Sequence, residues 1–353
     1  MYLTVAIENL RGVRHLEVDD LRRVNLFAGR NNCGKTTILE GIFLLTGPTN
    51  PQLFMKINGF RNVGFAGEDS WRLFFRDLDT RREIRVAGEL KDPLEKRLLA
   101  VEVCTHASAP FAPTWQPPLA QPSPDDATEA PLPESEAVSA PNGLSLKFAF
   151  SKGKRGETIR FASRITSRQQ GFEINMPKDY TEERRGVFVN ATTLLGEIGR
   201  RFHNAQVKKR VAPFVTVLRQ VEPALADLSL GADGQVYCDV GLPHLAPLNV
   251  MGDGIVRLLS FLLSIADTEN GVVLIDDIDN GFHADAQKIL WRAVFEISRE
   301  FNVQVIATTQ SRGCVQSLRA CSADSAAEVD ESRLFLVERT ENGCHSVRGG
   351  AWS

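Results

Sequence analysis

Residues 24–37 have the sequence VNLFAGRNNCGKTT, and this stretch sets the architecture of the chain. Val24–Ala28 is an apolar run with the length of a buried strand, and the apolar residues between positions 38 and 44 have the spacing of a helix. Between them, residues 29–36 match the pattern G-x-x-x-x-G-K-[ST] at every specified position. A strand, a glycine-rich loop and a helix in this order predict a P-loop nucleotide-binding core.

The chemistry of this loop is phosphate binding. Its glycines allow backbone N–H groups to turn toward a β-phosphate at a helix N-terminus, where the helix dipole also favours an anion. Lys35 is expected to bridge the β- and γ-phosphates, and the Thr36 hydroxyl is expected to ligate Mg²⁺. The predicted nucleotide-binding residues are Gly29, Asn31, Asn32, Cys33, Gly34, Lys35, Thr36 and Thr37.

A second motif supplies carboxylates. Val272-Val273-Leu274-Ile275 is an apolar strand, and Asp276 and Asp277 follow it directly. Two ionised carboxylates at a buried strand end repel each other unless a cation lies between them. We therefore predict that Asp276 is a magnesium ligand and that Asp277 polarises the attacking water. For this segment alone, an acidic strand end that faces solvent is the alternative interpretation.

Two glycines begin a further helix. The segment Asn249-Val250-Met251-Gly252-Asp253-Gly254 directly precedes an apolar helix and forms a second helix N-terminus that can accept an anion. One triphosphate has no need of two such sites, so Met251, Gly252, Asp253 and Gly254 can serve a nucleotide held by a partner subunit. A Gly-Asp-Gly turn before a helix is also common without such a role.

The composition is that of a globular protein. The 353 residues are 43% hydrophobic and 24% charged, and the formal net charge of -3 excludes a uniformly basic nucleic-acid binder. The longest apolar runs are too short to cross a bilayer and no signal-peptide block is present, so we expect a cytoplasmic protein without membrane contacts. The six cysteines lie far apart, which favours structural thiols, although Cys33 inside the phosphate loop leaves redox sensing open.

Patterns along the chain predict a mixed α/β fold with a P-loop core of mixed sheet flanked by helices, an N-terminal β-rich lobe and a helical arm. Nine of the seventeen prolines fall between residues 105 and 143, where no periodic apolar pattern survives. This stretch is expected to be a disordered insertion or a docking site for a partner. Basic residues between Arg184 and Arg210 suit a solvated helix face and a nucleic-acid surface equally well.

Five segments follow from these patterns. They are the β-rich lobe with the P-loop half (1–104), the insertion (105–143), the return strands of the lobe (144–180), the helical arm (181–230), and the half with the glycine signature, acidic strand and switch (231–353). Periodicity predicts further elements at residues 2–8, 15–18, 83–88, 99–103, 144–150, 158–165, 227–230, 235–240, 271–276, 303–308, 333–338 and 345–348 as strands, and at 182–228, 253–267 and 284–300 as helical.

The order of the motifs resembles that of the ABC-type ATPases. After the phosphate loop, the glycine signature and the acidic strand end, Ala307-Thr308-Thr309-Gln310-Ser311 follows another predicted strand. The segments IENLRG, NLFAGRNNCGKTT, MGDG, IDDIDNGFH and ATTQS resemble, one after another, the motifs of the OLD (overcoming lysogenization defect) and RecF-like branch. This resemblance covers nearly the whole chain except residues 105–143.

The resemblance implies ATP as the nucleotide and a head-to-tail homodimer. In such a dimer, Gly252 and Gly254 of one subunit close over ATP held by Lys35 and Thr36 of the other. Two positions depart from the family, which usually has Glu where this chain has Asp277 and His where it has Gln310. Asp is one methylene shorter and Gln cannot carry a proton, so we predict slow hydrolysis in which Gln310 orients water or contacts the γ-phosphate.

Two further roles are carried over from the resemblance. Gln52 is suggested as a residue that completes the magnesium shell. His283 matches a position at the dimer face, and a role as a helix-capping histidine is equally consistent with the sequence.

The resemblance also suggests an effector on a separate chain. OLD nucleases carry a C-terminal Toprim nuclease domain, whereas only about forty residues follow Ser311 in this sequence. We therefore expect a nuclease or other effector to be supplied in trans. This effector would be DNA-directed or act in phage defence. A transporter subunit would need an L-S-G-G-Q type signature and a GTPase an N-K-x-D motif, and the sequence has neither. A non-catalytic ATP sensor, in which ATP only locks an assembly, is the alternative function.

Overall fold

The computed structural model describes residues 1–64, 68–105, 111–115, 141–153, 156–191, 196–323, 326–339 and 345–350. The strands are β1 (Tyr2–Glu8), β2 (His15–Val18), β3 (Val24–Ala28), β4 (Ile84–Leu90), β5 (Glu95–Cys104), β6 (Gly143–Lys152), β7 (Thr158–Ser167), β8 (Phe172–Asn175), β9 (Gly186–Val189), β10 (Asp227–Leu230), β11 (Val236–Asp239), β12 (Ala246–Pro247), β13 (Val272–Ile275), β14 (Gln304–Thr309), β15 (Ser332–Arg339) and β16 (His345–Gly350). The helices are α1 (Lys35–Leu45), α2 (Gln52–Phe60), α3 (Ile198–Val207), α4 (Ala212–Leu218), α5 (Asp253–Asp267), α6 (Ala284–Glu300), α7 (Arg312–Ala323) and α8 (Ala326–Glu331).

A six-stranded sheet with the order β16-β15-β3-β14-β13-β9 forms the centre of the fold. The pairs that join β15, β3, β14, β13 and β9 are parallel, and only β16 is antiparallel to its neighbour. Every residue of β3, β13 and β14 is buried, which explains why these strands are continuous apolar runs rather than alternating ones. Because they are parallel, their carboxyl ends meet at one edge of the sheet.

Helices cover both faces of this sheet. Strand β3 sends Leu26 into one hydrophobic core together with α5, α6 and α7, and sends Phe27 into a second core together with α1. Phe27 stacks on Phe335 of β15 with the ring centroids 4.7 Å apart. Ten of the eleven residues of α1 are buried, so this helix is enclosed on nearly every side and the loop before it is held firmly.

A second sheet of seven antiparallel strands, in the order β2-β1-β4-β5-β6-β7-β8, packs on the other side of α1. Its apolar face shares one core with α1. A Cβ placed on Gly41 of α1 would lie only 2.5 Å from Cδ1 of Ile7 on β1, so the glycine lets the helix and the strand pack closely. A small three-stranded sheet, β10-β11-β12, precedes α5. The mixed sheet flanked by helices and the β-rich N-terminal sheet are therefore as the sequence predicts.

Two sequence expectations about local structure were wrong. Residues 182–228 were expected to be largely helical, but Gly186–Val189 forms the edge strand β9 because it pairs in parallel with β13 and buries Phe188 and Val189. The Pro/Asn-rich segment that carries Gln52 was expected to be a loop, but Gln52 is the first residue of helix α2.

Some expectations concern residues outside the described part of the chain. These are most of the predicted insertion, at 106–110 and 116–140, and residues 340–344 between the predicted strands 333–338 and 345–348, where a hairpin turn around Glu341-Asn342-Gly343 is expected.

Candidate nucleotide-binding site

The two motif glycines of the phosphate loop are required for different reasons. Gly34, directly before α1, has φ 94° and ψ 4°, a left-handed conformation, and a Cβ there would lie 2.9 Å from Cδ2 of His345. Gly29, directly after β3, has no room for a side chain, because a Cβ there would lie 2.4 Å from the carbonyl oxygen of Val337. The loop therefore takes its shape from glycine at both positions.

Lys35 lies at the centre of the loop. Its Nζ donates to the carbonyl oxygens of Gly29, at 2.8 Å, and Arg30, at 2.9 Å, and lies 3.9 Å from Sγ of Cys33. The residue is only 7% exposed. A buried ammonium whose acceptors are neutral carbonyls has no opposing charge within this loop, so a phosphate oxygen would be a stronger acceptor for it.

Two of the three predicted magnesium ligands, Thr36 and Asp276, are in contact. The Thr36 Oγ1 donates to Asp276, 3.0 Å from Oδ2 and 3.2 Å from Oδ1. A hydroxyl and a carboxylate are the oxygen ligands that Mg²⁺ takes from proteins when phosphates and waters fill its other positions. The Thr36 hydroxyl and the Asp276 carboxylate therefore fit a magnesium ion whose other ligands are phosphate and water oxygens. In the described ranges, no group of three or more His, Cys, Asp or Glu is placed to hold a metal ion.

Thr308, a residue that the sequence analysis did not assign to the site, fixes the acidic end of β13. Its Oγ1 donates to Oδ1 of Asp276 at 2.6 Å and accepts the backbone N–H of Asp277 at 2.9 Å. Thr308 is fully buried on β14, the strand that pairs with β13. Thr308, the first threonine of the ATTQS segment, thus orients both aspartates.

The two predicted catalytic residues after the strands also lie close together, because the Gln310 side chain is near enough to lower the pKa of the Asp277 carboxyl group. Burial, followed by the charge of Asp276, raises the pKa of Asp277, and the Gln310 side chain opposes this rise. Asp277 has φ 51°, a conformation that is uncommon for a residue with a side chain and is frequent at functional sites. The structure therefore places the Asp277 carboxyl group and the Gln310 side chain next to each other.

A cavity of about 500 Å³ contains most of these groups. It is lined by Asn31 through Thr37 of the phosphate loop and α1, by Asp277 and Gln310, and by five residues that the sequence analysis did not assign: Arg11, Gly12, Arg61, Arg339 and His345. These five come from the turn after β1, the end of α2 and the last hairpin. No local pattern connects such distant segments, so only the fold brings them together.

His345 closes the cavity beside Gly34. Burial lowers the pKa of its imidazole, with Arg339 and Arg76 acting in the same direction, so the ring is neutral at pH 7. Its Nδ1 is buried and has no hydrogen-bond partner among the described residues. The ring therefore contributes no positive charge to the cavity at pH 7.

Several predicted site residues do not line this cavity. Gln52 is exposed at the start of α2, and its backbone N–H bonds to Oδ1 of Asn50. His283 occupies the position before α6, but its side chain makes no capping hydrogen bond, so the capping interpretation was wrong.

The glycine signature also lies apart from the phosphate loop of its own chain. Gly252, with φ 97°, directly precedes α5, and a Cβ placed on it would meet no atom within 4 Å. Gly252 and Asp253 are exposed, whereas Met251 and Gly254 are half-buried. None of the four lines the phosphate-loop cavity. Within one subunit, therefore, the signature is an open helix start.

The basic residues between Arg184 and Arg210 are mostly engaged within the chain. Arg201 is 7% exposed and its Nη1 donates to Oγ of Ser264 at 2.5 Å, Arg200 pairs with Glu197 at 2.6 Å, and Arg210 pairs with Glu269 at 3.3 Å. These contacts favour a packing role over a nucleic-acid surface.

A groove of about 810 Å³ adjoins this cavity and shares Asn31–Cys33, Gln310 and Arg339 with it. It is lined by four exposed arginines, none of which forms an ion pair with a described residue: Arg30, Arg312, Arg319 and Arg339. Glu338 is the one acidic residue among the described groove-lining residues. We call this the arginine groove.

No helix in the described ranges has both the length and the apolar character needed to cross a membrane.

Two family models match the chain. The model described as "AAA domain, putative AbiEii toxin, Type IV TA system" matches residues 135–313, which is half of the chain, and the model described as "AAA domain" matches residues 4–100. The first match contains Asp276, Asp277 and Gln310, and the second contains the phosphate loop.

Two other proteins have sequences similar to this chain. An ATP/GTP phosphatase of Helicobacter pylori is 20% identical over 342 residues, which cover 90% of this chain and 87% of that protein. An uncharacterized protein of Methanocaldococcus jannaschii is 37% identical over 83 residues, which cover 22% of this chain and 37% of that protein.

Solved structures with a similar backbone trace include two SMC heads. The SmcHead bound to the C-winged helix domain of ScpA has a TM-score of 0.49 at 11% identity and covers 99% of this chain and 98% of that chain. The SMC head domain from Thermotoga maritima has a TM-score of 0.44 at 12% identity, with the same coverage.

Proposed function

The chain belongs to the AAA domain family described as putative AbiEii toxin, Type IV TA system, and from this premise we propose that it binds Mg-ATP and hydrolyses it slowly. One observation carries the proposal: Lys35, Asp277 and Gln310 come from separate segments and line one cavity of about 500 Å³ at the carboxyl ends of parallel strands. That volume lies within the range of cavities that hold small-molecule ligands, about 300–1,000 Å³. The position is the one at which α/β sheets bind ligands.

Each side chain has a defined task in this proposal. Lys35 exchanges its carbonyl acceptors for β- and γ-phosphate oxygens, and Thr36 and Asp276 hold Mg²⁺, which would neutralise the phosphate charge when bound. Asp277 accepts a proton from the attacking water, whose oxygen bonds to the γ-phosphorus while the bond to the ADP oxygen breaks. The raised pKa of Asp277 makes its carboxylate a better proton acceptor at neutral pH.

Two features make the predicted reaction slow. The Asp277 side chain is short, which places its carboxylate one methylene farther from the nucleotide than a glutamate would. Gln310 lies beside Asp277 and cannot carry a proton, so it can only orient water or contact the γ-phosphate.

We further propose that the active form is a head-to-tail homodimer of the OLD and RecF-like kind. Exposed Gly252 and Asp253 at the start of α5, outside the cavity of their own chain, support it. ATP held by one subunit would then complete its contacts with the helix start of the other, where backbone N–H groups and the helix dipole favour a phosphate.

The output of this dimer is proposed to be a separate effector in the cytoplasm, a nuclease or another protein that acts on DNA or in phage defence. If the chain itself contacts DNA, the arginine groove is the surface we expect, because its arginines are exposed and unpaired among the described residues. A salt-independent or undetectable DNA affinity would remove the DNA contact from the proposal.

The test combines two measurements on the same samples: phosphate release from Mg-ATP and the oligomeric mass with and without ATP. Wild type is expected to release phosphate and to dimerise with ATP, whereas Lys35→Ala is expected to do neither. Phosphate release that is equal in the two proteins would refute hydrolysis at this site. A mass that ignores ATP would refute the nucleotide-dependent dimer.

The second candidate function is a non-catalytic ATP sensor, which the short Asp277 and the Gln310 side chain favour. Asp277→Glu distinguishes the two functions, because a damped enzyme gains turnover when the longer carboxylate is restored. A sensor shows ATP-dependent dimerisation without phosphate release, and Asp277→Glu leaves that behaviour unchanged.

A further inference from the structure

Glu40 is a buried carboxylate that contacts two arginines, Arg11 and Arg61, which line the nucleotide cavity. It lies on α1, four residues after Thr36 and therefore on the same side of the helix, and its side chain is 1% exposed. Burying a carboxylate this completely is costly unless charged partners compensate it. Two arginines do so here: Nε of Arg61 donates to Oε1 at 2.6 Å, and Nε of Arg11 donates to Oε2 at 3.2 Å.

The two arginines differ in how far they are already engaged. Arg11 donates from Nη2 to Oδ1 of Asn58 at 2.8 Å and from Nη1 to the carbonyl oxygen of Leu73 at 3.1 Å. Its guanidinium also lies over the ring of Phe74, 4.8 Å from the centroid. All three of its nitrogens thus have protein acceptors, so Arg11 is a fixed part of the wall.

Arg61 has donors to spare. Only its Nε is bonded, and in the described part of the chain its two Nη groups have no protein acceptor. Its side chain is 37% exposed, and it lines the same cavity as Lys35 and Thr36. A guanidinium with both Nη groups free presents the pair of parallel donors that fits a phosphate.

We propose that Glu40 is a positioning residue for the nucleotide: it holds Arg61 so that the free Nη groups of that arginine face the triphosphate. This inference rests on the proposed ATP-binding function of the same cavity. Glu40 itself does not touch the nucleotide, because both of its oxygens are occupied by arginine donors. It acts on the phosphates through Arg61.

The location of Arg61 explains why such an anchor is needed. The residue immediately follows α2 at its C-terminal end, and a long side chain there is otherwise free to extend into solvent. Without the negative charge of Glu40, the guanidiniums of Arg11 and Arg61 would repel each other and Arg61 would leave the cavity wall. The phosphates would then lose the two donors that Arg61 offers.

A double-mutant cycle tests this dependence. We would measure ATP affinity by calorimetry, and KM and kcat for phosphate release, in wild type, Glu40→Gln, Arg61→Ala and the double variant. Each single variant is expected to lose about 10-fold or more in ATP affinity or in kcat/KM, the usual scale for a charged hydrogen bond. The double variant is expected to lose no more than the worse single variant, because both changes remove the same interaction.

Several results would overturn the inference. Losses that multiply in the double variant, or a Glu40→Gln protein whose melting temperature falls while its ATP affinity and kcat/KM are unchanged, would leave Glu40 with a structural role only. Arg61→Lys adds a second check, since it keeps the charge but not the fork and is expected to recover only part of the activity. Glu102→Gln is the matched control, because Glu102 pairs with Lys147 and lies outside the cavity.

The Lys35→Ala protein separates failure of this inference from failure of the proposed function. If Lys35→Ala loses ATP binding while Glu40→Gln keeps it at the wild-type level, only the positioning role is wrong. If wild type and Lys35→Ala bind ATP equally, the proposed function is wrong and the positioning role falls with it.

Discussion

Replacing Thr308 with valine removes two hydrogen bonds from the acidic end of β13 while keeping nearly the same side-chain shape. The lost bonds are the 2.6 Å donation from Oγ1 to Asp276 and the 2.9 Å donation from the backbone N–H of Asp277 to that oxygen. Because Thr308 is fully buried, water cannot take the place of its hydroxyl.

The expected loss of stability follows from these two contacts. A hydrogen bond to a charged group contributes about 1.5–3 kcal/mol, and a donor left without a partner costs about 1–3 kcal/mol. Thr36 still donates to Asp276 in the variant, so we expect a total near the lower end of these ranges, about 3 kcal/mol. The unfolding entropy of a chain of this length is about 0.7 kcal/mol per degree, which converts the loss to a melting temperature lower by about 4 °C.

Thermal unfolding in a buffer with a chelator and without nucleotide measures this shift. Thr216→Val is the matched control, since Thr216 is exposed and bonds only to the carbonyl oxygen of Ala212 in the preceding turn. We expect the control to shift by less than about 1 °C, as for most surface changes. A Thr308→Val protein that melts within about 1 °C of wild type would refute the assignment of Thr308 as the residue that fixes both aspartates.

Three further changes give distinct expectations. Thr36→Val should lower the ATP affinity about 10-fold or more when Mg²⁺ is present, but only slightly when a chelator removes Mg²⁺. Calorimetry measures both affinities. An equal loss in the two conditions would argue against Thr36 as a magnesium ligand. Burial and the charge of Asp276 raise the pKa of Asp277, so the charged form of Asp277 destabilises the fold. This destabilisation is complete at a pH above the raised pKa, and it is absent at a pH well below the ordinary value of 3.8. Asp277→Asn should therefore raise the melting temperature at pH 7, with an advantage that shrinks as the pH falls toward 3.8, and an advantage that grows on acidification would contradict this. Arg201→Met should lower the melting temperature by about 3 °C, because the charged hydrogen bond to Ser264 is lost. It should not change the affinity for an oligonucleotide. An unchanged melting temperature together with weaker oligonucleotide binding would instead support a nucleic-acid surface in that segment.

The sequence predicted those parts of the site that lie within a single motif or directly after a strand. The phosphate loop and α1 follow from Gly29, Gly34 and Lys35, because the pattern combines loop chemistry with a strand before it and a helix after it. Asp277 and Gln310 could be paired from sequence because parallel strands end at the same edge of a sheet.

The missed features depend on contacts between distant segments. Strand β9 has only four residues, and what makes it a strand is its parallel pairing with β13, where Val187 lies opposite Val273. Arg61 and His345 lie 26 and 310 residues from Lys35 along the chain, so no spacing pattern could join them to the phosphate loop. The role of Glu40 could not be predicted for another reason. Glu40 lies on a helix that is buried on nearly every side, and its neighbours in sequence do not indicate that two arginines bond to it.

Titration calorimetry of ATP in the presence of Mg²⁺, on wild type and on Lys35→Ala, tests most directly whether the phosphate-loop cavity is a nucleotide site. Both proteins would first be shown to melt at similar temperatures, because Lys35 also bonds to the carbonyl oxygens of Gly29 and Arg30. We predict that wild type binds one ATP per chain and that Lys35→Ala binds at least about 10-fold more weakly, the scale of a lost charged hydrogen bond. Equal affinity in the two proteins, or no heat of binding in wild type, would contradict the account.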